Sequence, residues 1–286
     1  MTSLRAALRP MVLGVVAILL AVAAWEAFKA IGGGDRFLGV NTDARSMPHV
    51  WDMITRLADP ENRGTDRAVG FAVLAGAWYS LRLAFAGWVL GIVVGLGLAV
   101  VMQRWGSAER ALLPYVVVSQ TIPLIALAPL IVAWGGELSV GPFEWQAWMS
   151  VAVVAGYLAF CPIAVGALKG LQSPASAAVE LFRSYAAGRR AELVKLRFPS
   201  AVPYLVPALR LSAALSVVGA IVAEISTGLR GGIGRLILEY SREATGDPAK
   251  VYTAMFGAAA LGVLVAGLVL GLDAWLMRNR PKEARA

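Results

Sequence analysis

Apolar residues run through this chain in six long blocks, roughly 10–31, 77–102, 112–134, 146–168, 203–225 and 252–277, separated by shorter polar stretches. Crossing the hydrocarbon core of a bilayer takes about 20 mostly apolar residues in a helix, so each block predicts one membrane-spanning helix. Backbone polar groups in lipid must be satisfied within the segment, which selects helices over open strands. The pattern therefore predicts an all-α polytopic membrane protein with about six transmembrane helices. It divides into an N-terminal transmembrane helix (1–31), an extracytoplasmic loop with a short amphipathic helix (32–76), a core (77–277) and a tail (278–286).

Charge gives the orientation. With the N-terminus in the cytoplasm, the inner loops carry fourteen Lys and Arg and the outer loops nine. Basic residues accumulate on the cytoplasmic side, so N-in, C-in is expected, with 278–286 a cytoplasmic tail. The composition agrees: 58% of residues are hydrophobic and 15% charged, with mean hydropathy +0.69, against about 25% charged in soluble proteins. The formal charge of +8 sits in short loops rather than in a basic stripe interleaved with aromatics, so no nucleic-acid partner is expected.

Several blocks carry more than apolar character. Arg5, Arg9, the run Met11–Ala24 and Ala21-Val22-Ala23 fit a secretory signal with its cleavage site. Apolar residues resume after Trp25-Glu26, at Ala27-Phe28 and Ala30-Ile31, which favours an uncleaved helix. Gly87, Gly91 and Gly95 recur every four residues, and Gly267 and Gly271 repeat the device. Small residues on one face let two helices approach closely, either within the chain or between two copies.

The block 112–134 holds Pro114, Pro123 and Pro129, with Ser119, Gln120 and Thr121 among them. Proline lacks a donor and clashes with the preceding turn, so this helix is expected to kink or break. Freed backbone groups survive at membrane depth only where protein or a water-filled cavity satisfies them. Ser119, Gln120, Thr121 and Pro123 are therefore candidates for lining a translocation path; the alternative is a kinked helix with Gln120 satisfied inside the bundle. Tyr157 and Ser216 carry hydroxyls able to hydrogen-bond a solute and join the candidates. Glu224 joins them as an ionisable residue near a span end, with snorkelling to an interface as its alternative, as for Arg210.

The catalytic inventory is thin. No phosphate-binding Gly-x-x-x-x-Gly-Lys motif, His-Glu-x-x-His or Gly-x-Ser-x-Gly occurs, and Gly231-Gly232-Ile233-Gly234 lacks a strand-to-helix context. Single residues, Cys161 and His49, leave no disulfide or metal cluster; Cys161 reads as a buried thiol. No enzyme activity and no cofactor are expected, and active transport would need a partner that hydrolyses ATP.

The most informative polar stretch is 180–199 within the predicted cytoplasmic loop 170–200. Leu181, Phe182, Tyr185 and Leu193 recur near helical spacing, while Arg183, Arg189, Arg190 and Lys195 mark a basic face. Two short helices joined at 186–188 would seat apolar side chains in a soluble partner and ring them with charge. A helix lying on anionic headgroups has the same pattern. Glu180, Ala186 and Pro199 stand in the register of the Glu-Ala-Ala coupling loop of bacterial ABC importer permeases, which this segment resembles. Leu181-Phe182 stand where that pattern has two alanines, Ala186 where it has glycine, and Phe198 where it has leucine.

The resemblance extends to Trp25-Glu26, Ser80-Leu81-Arg82, Gln120-Thr121-Ile122-Pro123, Arg197-Phe198-Pro199 and Val218–Glu224 with Gly232-Ile233-Gly234. These are similar to the nitrate/sulfonate/taurine branch of such permeases, and closest in look to thiamine-precursor and riboflavin types. The resemblance implies a multi-pass permease of the bacterial cytoplasmic (inner) membrane, working in alternating access. Its implied partners are a second permease copy or close paralogue, a dimer of ABC ATP-binding subunits holding ATP-Mg, an extracytoplasmic substrate-binding protein, and membrane lipid. It implies ATPase coupling through Glu180, Leu181, Phe182, Arg183, Tyr185, Ala186, Gly188, Arg189, Arg190 and Pro199. Ala186 lacks glycine's easy access to positive φ, so the turn is expected to move to Gly188. The rival is an ion-coupled secondary transporter without an ATPase, which calls for inverted repeats and mid-membrane acids.

Overall fold

The computed structural model describes residues 2–62, 64, 66–140 and 143–276; the predicted cytoplasmic tail 278–286 lies outside them. The order is α1 (Thr2–Gly32), the hairpin β1 (Arg36–Phe37) and β2 (Val40–Asn41), α2 (Val50–Thr55), α3 (Val69–Arg104), α4 (Gly106–Ser119) and α5 (Leu124–Gly136). A second small hairpin, β3 (Ser139–Val140) and β4 (Phe143–Glu144), precedes α6 (Ala147–Leu171) and α7 (Ser176–Ser184). Then come α8 (Arg189–Ala191), a π-helical turn (Glu192–Arg197), α9 (Phe198–Thr227), α10 (Ile233–Glu243) and α11 (Pro248–Leu276).

Among the described residues, α3, α6, the continuous rod Arg189–Thr227 and α11 over Pro248–Val269 are each long and apolar enough to cross a membrane. The pair α4–α5 makes a fifth span bent by 104°. Each apolar block of the sequence falls on one of these elements or on α1. The third block is a broken span, and α3 opens at Val69, so the predicted loop 32–76 ends earlier than expected.

The chain divides into two compact units, Met1–Leu74 with Ile237–Phe256, and Ala75–Leu236 with Gly257–Ala286. The first is knitted by polar contacts. The Trp25 indole donates to the Pro48 carbonyl at 3.1 Å, and the Glu26 carboxylate accepts the Val50 amide at 2.7 Å. Glu26 thus supplies an anion to the first turn of α2, where amides lack helical partners. His49, alone of its kind, stands 2.7 Å from the same carboxylate.

The second unit is packed by small residues. A Cβ at Gly87 would lie 2.5 Å from the Ala152 carbonyl and the Ala155 methyl, and Gly91 and Gly95 meet Ala159 and Ile163 in the same way. The four-residue glycine stripe therefore packs α3 on α6 within the chain. Gly166 and Gly170 press similarly on Ala208 and Ala201 of α9. In lipid, where exclusion from water does not drive helices together, close backbone approach is what makes such contacts favourable. Gly267 and Gly271 meet nothing within 4 Å. Cys161, expected to be buried, is half-buried against one of the apolar clusters.

Candidate functional site

The broken span turns at 120–123. Pro123 sits just before α5 in an extended conformation, φ −60° and ψ 115°. Side chains take up the carbonyls at the end of α4: Ser119 Oγ donates to Val116 O and Thr121 Oγ1 to Val118 O, both at 2.8 Å. The Tyr157 hydroxyl, reaching over from α6, donates to the Ser119 carbonyl. Gln120 Nε2 returns the contact to the Tyr157 carbonyl at 3.3 Å. Ser119, Gln120, Thr121, Pro123 and Tyr157 thus form one cluster, with Thr121 and Pro123 exposed on this chain and Gln120 half-buried.

Two predicted path residues do not join that cluster. Ser216 is buried and its hydroxyl donates to the Ala84 carbonyl of α3. Glu224 is wholly buried and does not snorkel to an interface. Its carboxylate accepts from the Ser80 hydroxyl at 2.7 Å and from the Gly234 amide at 2.9 Å, while the Ile233 amide donates to Ser80 Oγ at 2.9 Å. Those amides open α10, so Glu224 and Ser80 together satisfy and neutralise the positive start of that helix. Gly232 makes room: a Cβ there would lie 2.1 Å from Glu224 Cδ. A buried carboxylate needs donors, and the start of α10 brings it the Gly234 amide beside the Ser80 hydroxyl.

The segment 176–199 departs from the expected pair of short helices. Helix α7 stands apart, but α8 runs without interruption through the π-helical turn into α9. Glu192 and Arg197, five residues apart, face each other at the π-helical spacing with a 2.6 Å ion pair. Arg197 also donates to the Leu171 carbonyl at 2.8 Å, fastening the turn to the end of α6. Pro199, Pro203 and Pro207 remove amide donors at four-residue intervals, keeping the gaps on one face.

The turn between α7 and α8 stays at Ala186, with φ 51°, and does not move to Gly188, whose φ is −61°. Ala187 N bonds to Phe182 O at 3.0 Å and Ala186 N to Arg183 O at 2.9 Å. This pair of bonds is the left-handed helix ending that usually carries glycine. It offsets the strain of alanine in that region. On α7, Glu180, Leu181 and Arg183 are exposed, as is Tyr185 capping its end, Leu181 by 55% and Tyr185 by 79%, with Phe182 half-buried. Arg189, Arg190, Gly188 and Pro199 are also exposed.

An all-helical bundle with a broken span and an exposed amphipathic helix joined to a membrane-crossing rod defines a polytopic membrane transport component. Residues 89–281 match the family described as binding-protein-dependent transport system inner membrane component, and the chain belongs to that family. It is an ABC-importer permease subunit of the inner membrane. It is 33% identical to the formylaminopyrimidine transport permease protein of Halalkalibacterium halodurans over 71% of this chain and 77% of that protein. It is 25% identical to a nitrate import permease protein of Synechococcus elongatus over 95% of this chain and 90% of that one. With the riboflavin transport system permease protein of Chloroflexus aurantiacus it shares 34% identity over 47% and 46%.

Sequence reasoning missed the role of Ser80. Its partner Glu224 lies 144 residues away. The available signal was the pair of glycines flanking Ile233, which leave space for a carboxylate rather than for a nucleotide.

Proposed function

We propose that the chain passes a small polar or anionic organic solute across the membrane, with a second permease copy, by alternating access. A dimer of separate ATP-binding subunits drives the movement, and an extracytoplasmic binding protein delivers the solute. The observation that carries this reading is the exposed helix α7, locked by the left-handed turn at Ala186 onto a rod that continues as a membrane span. Force applied to α7 by a docked ATPase passes through the hydrogen-bonded turn at Ala186 to Arg189, from which Arg189–Thr227 runs as one helix. Leu181, Phe182 and Tyr185 form the apolar centre of the docking surface, with Arg183, Arg189 and Arg190 as its charged rim.

The broken span supports the path assignment. Gln120 and Thr121 sit where backbone regularity is lost, beside exposed Ile122 and Ile125, and a second copy would enclose them. The solute class follows the relatives, whose names specify a formylaminopyrimidine, riboflavin and nitrate. All three are polar and accept hydrogen bonds that an amide and a hydroxyl can donate.

The test is Phe182→Asp in the assembled transporter. It places an uncompensated charge in the contact, costing about 3–5 kcal/mol once buried. Co-purification of the ATP-binding subunit should fall while the amount of permease in the membrane holds. Undiminished co-purification and undiminished transport-coupled hydrolysis would remove the coupling reading.

A further inference from the structure

A pocket of about 530 Å³ opens between the last turn of α3 and the segment from α7 to the π-helical turn. Its charges do not cancel. Arg197 is held by Glu192 and by the Leu171 carbonyl. Among the described residues, no carboxylate pairs with Arg104, Arg183, Arg189 or Arg190, which also line the pocket. Four guanidinium groups therefore face a space whose single lining carboxylate is already engaged.

The depth of the pocket is fixed by α3. That helix crosses the membrane and ends at Arg104; Trp105 follows, 55% exposed, with the Arg104 guanidinium 5.6 Å from its ring centroid. Trp and Arg at the end of an apolar span mark the headgroup layer. Val100 and Val101 of α3 and Leu193 of the π-helical turn add an apolar wall, with Gln103 beside them. Guanidinium groups match phosphate oxygens in geometry and remain charged at every working pH. An apolar wall beside them suits the first methylenes of an acyl chain.

We propose that this pocket binds the phosphate of an anionic phospholipid headgroup, and that the lipid bridges the end of α3 to the coupling segment. The proposal goes beyond the ATPase reading and does not rest on it, since Arg104 lies outside α7 and α8. Membrane charge would then bear on the element that transmits movement.

The test is native mass spectrometry of the full chain in mild detergent, alone and with its ATP-binding subunit. Dioleoyl phosphatidylglycerol is compared with dioleoyl phosphatidylcholine, and inorganic phosphate serves as a soluble competitor. Phosphatidylglycerol should be retained preferentially, and Arg104→Gln and Arg190→Gln should each weaken retention by about five-fold. Arg45→Gln, in the loop between β2 and α2, should leave it unchanged. Size-exclusion profiles identify any variant that misfolds, and the wild-type comparison of the two lipids decides the matter without variants. Equal retention of both lipids, or full retention in both pocket variants, would overturn the proposal. Displacement of the lipid by millimolar inorganic phosphate would instead make this a site for soluble anions. Loss of the lipid on adding the ATP-binding subunit would mean that acidic residues of that subunit fill the pocket.

Discussion

The Ser80 hydroxyl lies 2.7 Å from both carboxylate oxygens of Glu224, and in the same place it accepts the Ile233 amide at 2.9 Å. One serine thus joins α3, the end of α9 and the start of α10, with no solvent reaching any of the three groups. The carboxylate is held by a hydroxyl and an amide, and the glycines at 232 and 234 let α10 come close enough.

Removal of this latch gives the first prediction. Glu224→Ala leaves the Ser80 hydroxyl and the Gly234 amide unpaired and opens a cavity, at a cost of about 2–5 kcal/mol. Ser80→Ala removes the shared partner and should cost about 1–3 kcal/mol. Gly232→Ala pushes a methyl into the carboxylate and should resemble Glu224→Ala. The loss on combining Gly232→Ala with Glu224→Ala should fall well short of the sum of the single losses, because both act on one contact. Thermal unfolding of the detergent-solubilised protein measures all four. Full additivity would mean that Gly232 acts somewhere else.

The spans were legible because bilayer thickness leaves a length signature in the sequence. The bend was only half legible. Three prolines mark the block, yet Pro114 and Pro129 lie within α4 and α5 and only Pro123 coincides with the break. The break falls where Ser119, Thr121 and Tyr157 can take up the freed carbonyls, and Tyr157 comes from another helix. Proline creates the need, but neighbours decide where it is met. Glu224 illustrates the same limit. Its charge drew attention to a path, whereas its partners depend on a fold that brings residue 80 beside residue 233. The register of Ala186 was readable, but its left-handed conformation was not, since alanine there is strained and only the two closing bonds reveal why it persists.

That strain makes the second prediction. Alanine at φ 51° costs about 1–2 kcal/mol relative to a right-handed conformation, whereas glycine bears almost none of it. Part of the gain is returned because glycine is freer in the unfolded chain. Ala186→Gly should therefore raise the Tm slightly, and Ala186→Val should lower it, since a β-branched residue is least tolerant of positive φ. A stabilising Ala186→Val would show that the turn has a different conformation.

The third prediction concerns the broken span. Gln120→Leu deletes the bond to the Tyr157 carbonyl and any bond to solute, while keeping bulk and apolar compatibility. Uptake by the reconstituted importer should fall at least ten-fold, about 1.4 kcal/mol by the usual conversion, with the complex intact. Tyr157→Phe removes one of the two donors on the part-buried Ser119 carbonyl, leaving the Ile122 amide at 3.2 Å, and should lower the Tm, at a cost of about 0.5–1.5 kcal/mol in stability. If Gln120→Leu transports at the original rate, the path runs elsewhere, although the family assignment would stand.

The last prediction lies in the smaller unit, around Lys250. Its side chain is 2% exposed, donates to Glu243 at 2.6 Å and to Asn62 at 3.2 Å, and sets its ammonium 4.4 Å from the Tyr240 ring centroid. Tyr240 in turn donates to Glu61 at 2.8 Å, and Arg56 pairs with Asp247 at 2.7 Å. Burial pushes the Tyr240 hydroxyl well above the usual tyrosine range, and the Glu61 hydrogen bond and charge push it the same way. A group whose folded pKa is raised lends stability that is complete below its unfolded pKa, about 10, and is lost as pH climbs from there toward the folded value. The wild-type protein should therefore lose stability above that pH more steeply than Tyr240→Phe, which has no proton to release. At neutral pH the variant should cost about 0.5–1.5 kcal/mol, the net worth of one hydrogen bond. Lys250→Met, keeping the stem but not the charge, should cost more, since it removes two hydrogen bonds and the cation over the ring. Parallel alkaline melts of Tyr240→Phe and wild type would show that the Tyr240–Glu61 contact is not formed in solution.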